Sequence, residues 1–451
     1  MADATTILKN AASIKQLLRQ HAPHIRNVAY FLVTRAFSIL AFVLVVPFFI
    51  HHASERQYGL VAIGFSLLTI AAVLDVAFGY VLIQSLGRRY ARGRSLATGI
   101  VHGLFSVYVL LSSGVTLCGL MVVLALHLST AETLMYGSIT ALLPALSVSG
   151  VVAAVFQARN QLKPINLSRF GFELAKAVAL ALSALVIGDI SLVGPTLLFA
   201  AYGRAALDRR YLALQTGIRL SFHGIGQIRR YWRLARHGIS SFYIVALTAL
   251  VTIGDKILIK SFFSEDSVAH YSVAYDINTK AYLLVNAVNT AMFSVVLHRF
   301  ARKSSIFAPL ATSLVAVSLV AILYYLPLLA LAPAILTHWV SADFATTATP
   351  LTRIMALSSL FYLYGNVFEN ALNAMGLAQQ VLRVYLVSTV AYATVVALAI
   401  WQKALIGFMY SYLTLCAVLC LGFVLQYNRI RPSMKNSTLV ETRGSAKVLT
   451  R

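Results

Sequence analysis

Asp276 and Lys280 stand four residues apart inside the apolar run 269–297, and that spacing puts a carboxylate and an ammonium on one face of a helix. Asp255 and Lys256 are adjacent near one end of the run 238–259, while Arg35 and Asp75 lie inside the runs 27–50 and 58–83. With helical rise, Arg35 and Asp75 sit roughly 12–14 Å deep, where antiparallel neighbours could bring them together. An ionisable side chain in hydrocarbon costs about 3 kcal/mol or more unless it faces a cavity or a partner, so such groups mark candidate sites. A guanidinium offers a planar donor fork to a pyrophosphate or an acidic sugar, an ammonium offers a point charge, and a carboxylate holds either in place or exchanges a proton. The candidate substrate-binding set is therefore Arg35, Asp75, Lys256, Asp276 and Lys280, and the candidate ion-coupling set is Asp75, Asp255 and Asp276.

Each of these has a structural alternative. Arg35 and Asp75 could form a buried pair that specifies the fold, and Asp276 and Lys280 could neutralise one another. Lys256 could snorkel to the nearer surface while Asp255 caps a loop. Glu173, Lys176, Glu369 and Arg353 read as charges at membrane boundaries. Tyr271, Tyr275 and Tyr282 could stack on sugars, although aromatic belts at the membrane interface are the commoner use of such residues.

The elements that must carry these residues are membrane spans. Of 451 residues, 59% are hydrophobic and 11% charged, whereas soluble domains carry roughly 25% charged residues. Apolar runs long enough to cross a bilayer recur at 27–50, 58–83, 96–124, 134–158, 173–188, 190–203, 238–259, 269–297, 306–331, 349–372, 384–401 and 405–427. The first run is too long for a cleaved leader and should stay in the membrane. The expectation is an all-α polytopic membrane protein of about twelve transmembrane helices.

The charge is +23, and its placement says why. One alternating set of connections holds 29 Lys and Arg, the other only Arg56, Lys260 and Lys403, and five more lie within spans. The positive-inside rule then places both termini in the cytoplasm, and this topology code leaves no nucleic-acid surface to explain. Cys118, Cys416 and Cys420 fall inside apolar runs and read as packing residues; no histidine spacing fits a metal, and no phosphate-binding glycine loop supplies an ATP engine or a cofactor site.

The stretch Arg204 to His237 carries eight basic residues and one acid, with apolar residues between them, as an interfacial amphipathic linker would. It divides the chain into an amino-terminal amphipathic segment (1–26), an N-lobe of six spans (27–203), the linker (204–237), a C-lobe of six spans (238–427) and a basic cytoplasmic tail (428–451). An offset of 210 residues aligns Ser54-Glu55 with Ser264-Glu265, Arg26 with Arg236 and Leu74 with Leu284, which suggests that the halves are repeats.

The segments Ser54-Glu55-Arg56-Gln57-Tyr58-Gly59 and Leu74-Asp75-Val76-Ala77-Phe78-Gly79, with Gly254-Asp255-Lys256-Ile257 and Val268-Ala269-His270-Tyr271-Ser272-Val273-Ala274, resemble the polysaccharide-exporter and O-antigen flippase family. Ala269 stands where that family more usually has Gly, and the resemblance spans 26–427. It implies membership of the multidrug/oligosaccharidyl-lipid/polysaccharide exporter superfamily, with two six-helix lobes around a central cavity in the bacterial inner membrane. The implied substrate is an undecaprenyl-pyrophosphate-linked oligosaccharide flipped toward the periplasm, the implied company membrane lipids, a glycan polymerase and a chain-length regulator. Competing readings are a lipid II flippase, a multidrug/cation antiporter, which would favour acidic cavity residues, and a membrane glycan polymerase. That enzyme would need a large periplasmic loop holding Arg and His, whereas the longest such connection, 332–348, contains His338 and no Arg.

Overall fold

The computed structural model describes residues 34, 36–90, 98–159, 161–222, 239–282, 285, 289, 292, 295–296, 299–300 and 305–448. Side chains at 71–78, 80–81, 84–85, 87–90, 162, 239–241 and 431–448 are not described. Every secondary-structure element among the described residues is helical. We number them α1 (Ala36–Ala53), α2 (Glu55–Tyr90), α3 (Thr98–Ala125), α4 (Thr130–Ala141), α5 (Leu143–Ala158), α6 (Leu162–Leu182) and α7 (Val193–Thr216) in the N-lobe. The C-lobe has α8 (Ile239–Phe262), α9 (Glu265–Lys280), α10 (Phe307–Val320), α11 (Leu326–Trp339), α12 (Ala342–Ala374), α13 (Ala378–Trp401) and α14 (Leu405–Val448).

Two pairs are single spans with a local break: α4 and α5 meet at Leu142, where Pro144 opens α5, and α10 joins α11 through the π turn Ala321–Tyr325 ahead of Pro327. The twelve-span, two-lobe architecture expected from hydropathy is thus the observed one. Among the described residues, eight helices or helix pairs are long and apolar enough to cross a membrane, and the acids Asp75, Asp208, Asp276 and Glu369 lie on α2, α7, α9 and α12. Polar groups are tolerated in spans where neighbouring helices, not lipid, surround them.

The segment 204–237 begins as helix: α7 runs through Arg204 to Thr216, and Gly217 ends it with φ 72°. The continuation is held by an i, i+4 contact from Arg204 Nε to Asp208 Oδ2 at 3.5 Å, with Ser168 of α6 bonding both residues.

The main core runs across both lobes, from Phe49, Tyr58 and Val61 through Tyr271 and Val273 to Met355 and Phe408. A second cluster around Tyr108, Phe156 and Leu86 stays within the N-lobe.

Candidate functional site at the lobe interface

Two one-residue geometries bring the lobes together at the Lys/Arg-poor ends of their spans, called outer below. Ser54 joins α1 to α2 alone, at φ 128°, a region that side-chain-bearing residues avoid. Its hydroxyl accepts from the Gln57 N–H at 3.3 Å, and the Ser264 hydroxyl accepts from the Ser267 N–H at 3.1 Å at the start of α9. The serines matched by the offset of 210 therefore cap the same point of two equivalent helices.

These helix starts cross. A methyl group on Gly59 of α2 would lie 2.1 Å from the Glu265 carbonyl oxygen and 3.3 Å from the Ala269 nitrogen, so glycine is required for the approach. Around the crossing, Arg56 pairs with Glu265, Lys260 reaches Glu132 at 2.6 Å and Glu265 at 3.1 Å, and His270 Nε2 lies 3.3 Å from Glu55. Each contact joins one lobe to the other except Lys260 to Glu265. Ser129 and Glu132 form a reciprocal capping box on α4, which fixes the carboxylate that Lys260 meets.

One layer deeper, Lys256 is only 4% exposed and donates from Nζ to the Ala62 carbonyl oxygen of α2 at 3.2 Å. The same carbonyl accepts from Ser66 Oγ at 2.8 Å. The ammonium also lies 5.7 Å from the Tyr275 ring centre and faces Asp276, Lys280 and Asp255 electrostatically. Snorkelling does not occur: α8 turns this residue toward α2, and its neighbour Asp255, fully buried, accepts hydrogen bonds from the Tyr271 and Tyr392 hydroxyls. Asp255 thus sits within the C-lobe on the far side of α8's contact with α2 and caps no loop.

Asp276 and Lys280 lie further along α9, both half-buried, and form no ion pair with one another within 4.0 Å. The Tyr58 hydroxyl faces Asp276, and the Lys280 ammonium sits 4.6 Å from the Phe42 ring centre of α1. Trp339 packs at a tilt against that ring, 5.4 Å between centres, and donates to the Val43 carbonyl at 2.7 Å, another bond between lobes. The structure therefore brings Lys256, Asp276 and Lys280 into one interfacial group, with Asp255 immediately behind it. Arg35 lies outside the described residues; Asp75 is in the helix α2, but its side chain is not described.

Tyr271, Tyr275 and Tyr282 form neither a belt nor an open sugar platform. Tyr271 and Tyr282 are buried, with the Tyr282 hydroxyl on Ser359 at 2.9 Å, and Tyr275 packs edge-on against Tyr412. Glu369 is likewise buried, accepting from Tyr385 at 3.2 Å and Asn366 at 3.3 Å. Glu173 pairs with Lys176 at 2.9 Å, and Arg353 donates to the Leu329 carbonyl at 3.0 Å. Sequence reasoning missed the outer cluster because Arg56 and Lys260 were spent as loop charges; the S-x-x-E pattern at Ser129–Glu132 was the available signal. No group of three or more His, Cys, Asp or Glu side chains that could hold a metal occurs among the described residues.

No protein-family profile and no curated protein matches the chain. Solved structures do. An inward-facing multidrug-resistance MATE transporter of the MOP superfamily superposes with TM-score 0.73 at 13% identity, covering 91% of this chain and 99% of that one. The lipid II flippase MurJ, inward closed, gives 0.71 at 12% identity over 90% and 87%. An outward-facing MATE transporter of the same superfamily gives 0.65 at 12% over 91% and 96%. The chain has the fold of these transporters, closed on its outer side.

Proposed function

We propose that the chain is an alternating-access flippase for a lipid-linked oligosaccharide with an anionic pyrophosphate head, an undecaprenyl-linked repeat unit of a surface glycan, in the bacterial inner membrane. The observation that carries this reading is the position of two ammonium groups, Lys256 and Lys280, buried or half-buried at the contact between the lobes, Lys256 on the Ala62 carbonyl and Lys280 beside Phe42. A head group arriving from the cytoplasmic side meets cationic donors at the closed end, and exchanging the Lys256–Ala62 bond for bonds to the anion loosens the seal. Asp276 lies on the same helix as Lys280, and Asp255 and Asp276 are the proton- or cation-exchanging candidates with Asp75. Arg35 joins the anion-binding set, and the polyprenyl tail remains in lipid. A glycan polymerase and a chain-length regulator would consume the product.

The test is surface glycan in a flippase-null strain complemented with the wild type, Lys256→Ala or Lys280→Ala. Loss of glycan in either variant at equal membrane abundance supports the electrostatic role, and full glycan in both overturns it. The fold likeness to a lipid II flippase supports a second reading within the same mechanism, and complementation of peptidoglycan synthesis separates the two. A cation antiporter is disfavoured by the pair of ammonium groups, and raised drug resistance on overexpression would reverse that.

A further inference from the structure

On the flank of the N-lobe away from the interface, α5, α6 and α7 enclose a groove of 640 Å³, within the range of about 300–1,000 Å³ typical of ligand sites. Its α6 wall is the stripe Pro164, Leu167, Ser168 and Gly171, and its α7 wall the stripe Gly203, Leu207, Arg210 and Leu214. Another face of α6 is taken by α1, through Phe37 on Phe170 at 4.4 Å and Ser38 on Glu173 at 3.3 Å. Leu167, Phe199, Leu207 and Leu214 are 67–84% exposed along the groove, so its walls are apolar and open sideways.

Its polar residues lie toward the start of α6 and the end of α7. Lys163, Arg204 and Arg210 line it against a single acid, Asp208, which Arg204 already engages. The glycines leave the walls hollow: a methyl group on Gly171 or Gly203 would meet nothing within 4 Å. Apolar concavity along the span with cations at the Lys/Arg-rich end is complementary to a chain-bearing anion lying with its head at that leaflet. We propose that this groove is a binding site for an anionic phospholipid of the cytoplasmic leaflet, with Lys163 and Arg210 at its phosphate and an acyl chain between α6 and α7.

The proposal is independent of what the transporter carries, and binding can be read without transport. The full chain in phosphatidylcholine nanodiscs, given spin-labelled phosphatidylglycerol or spin-labelled phosphatidylcholine, should show an immobilised signal that favours the anionic lipid. A basic residue beside an anionic head is worth about a fivefold preference, so K163Q/R210Q should lower the selectivity by roughly 25-fold or to parity. G171L/G203L, which fills open space, should remove the immobilised signal while leaving the melting temperature in detergent near that of the wild type. Equal retention of both lipids by the wild type, or selectivity unchanged in both variants, overturns the proposal. An anionic-lipid signal that emerges only when residues 1–26 are deleted would place the chain's own amino-terminal segment in the groove and overturns it as well.

Discussion

Lys256 has a long apolar stem and one charged end, and the fold uses both, burying the stem in α8's packing and holding the ammonium on a carbonyl of the opposite lobe. Lys256→Met keeps the stem and removes the charge. A hydrogen bond from a charged group is worth about 1.5–3 kcal/mol, so this variant should assemble normally and lose roughly tenfold or more in initial transport rate in proteoliposomes. Tyr392→Phe strips one of two hydroxyl donors from the buried Asp255 carboxylate and should cost about 1–3 kcal/mol, read as a lower melting temperature in detergent. Sequence marked both residues as polar groups needing a reason, but not which way they point. The apolar residues of α8 are spread around the helix and give no preferred inner face, so the positions of α2 and α13 decide that Lys256 turns to one and Asp255 to the other.

At the scale of elements, the starts of α2 and α9 cross through a contact that a single methyl group would block. Gly59→Leu should wedge the outer ends apart. In a variant lacking Cys118, Cys416 and Cys420, a cysteine at the buried Ala62 should then react with a membrane-impermeant maleimide that spares it when Gly59 is kept. The helices were legible from apolar run length, and the matched Ser54 and Ser264 announced equivalent helix starts. The extent of α6 and α7 was not: Lys163 to Ser168 and Arg204 to Thr216 are too polar to read as span, and they are helical because Ser168, Arg204 and Asp208 satisfy one another across the pair.

For the whole molecule, the charge count makes an orientation claim that reporter fusions check. Fusions after Tyr90 and Thr216 should report cytoplasm, and fusions at Ser129 and Lys403 should report periplasm. The outer ion pairs make a second: Glu132→Gln, which removes the carboxylate that Lys260 meets, should weaken the protection of a cysteine at Ala62.

The Ala62 carbonyl has two donors, and Ser66, on its own helix, stays with it whatever the lobes do. Parting the outer ends therefore leaves no orphaned acceptor on α2, only an ammonium in search of a counterion. Under the proposed anion cycle, delivery outward would leave Lys256 without a partner until the lobes close again, so closure of the empty protein would be favoured by restoring one bond to Ala62.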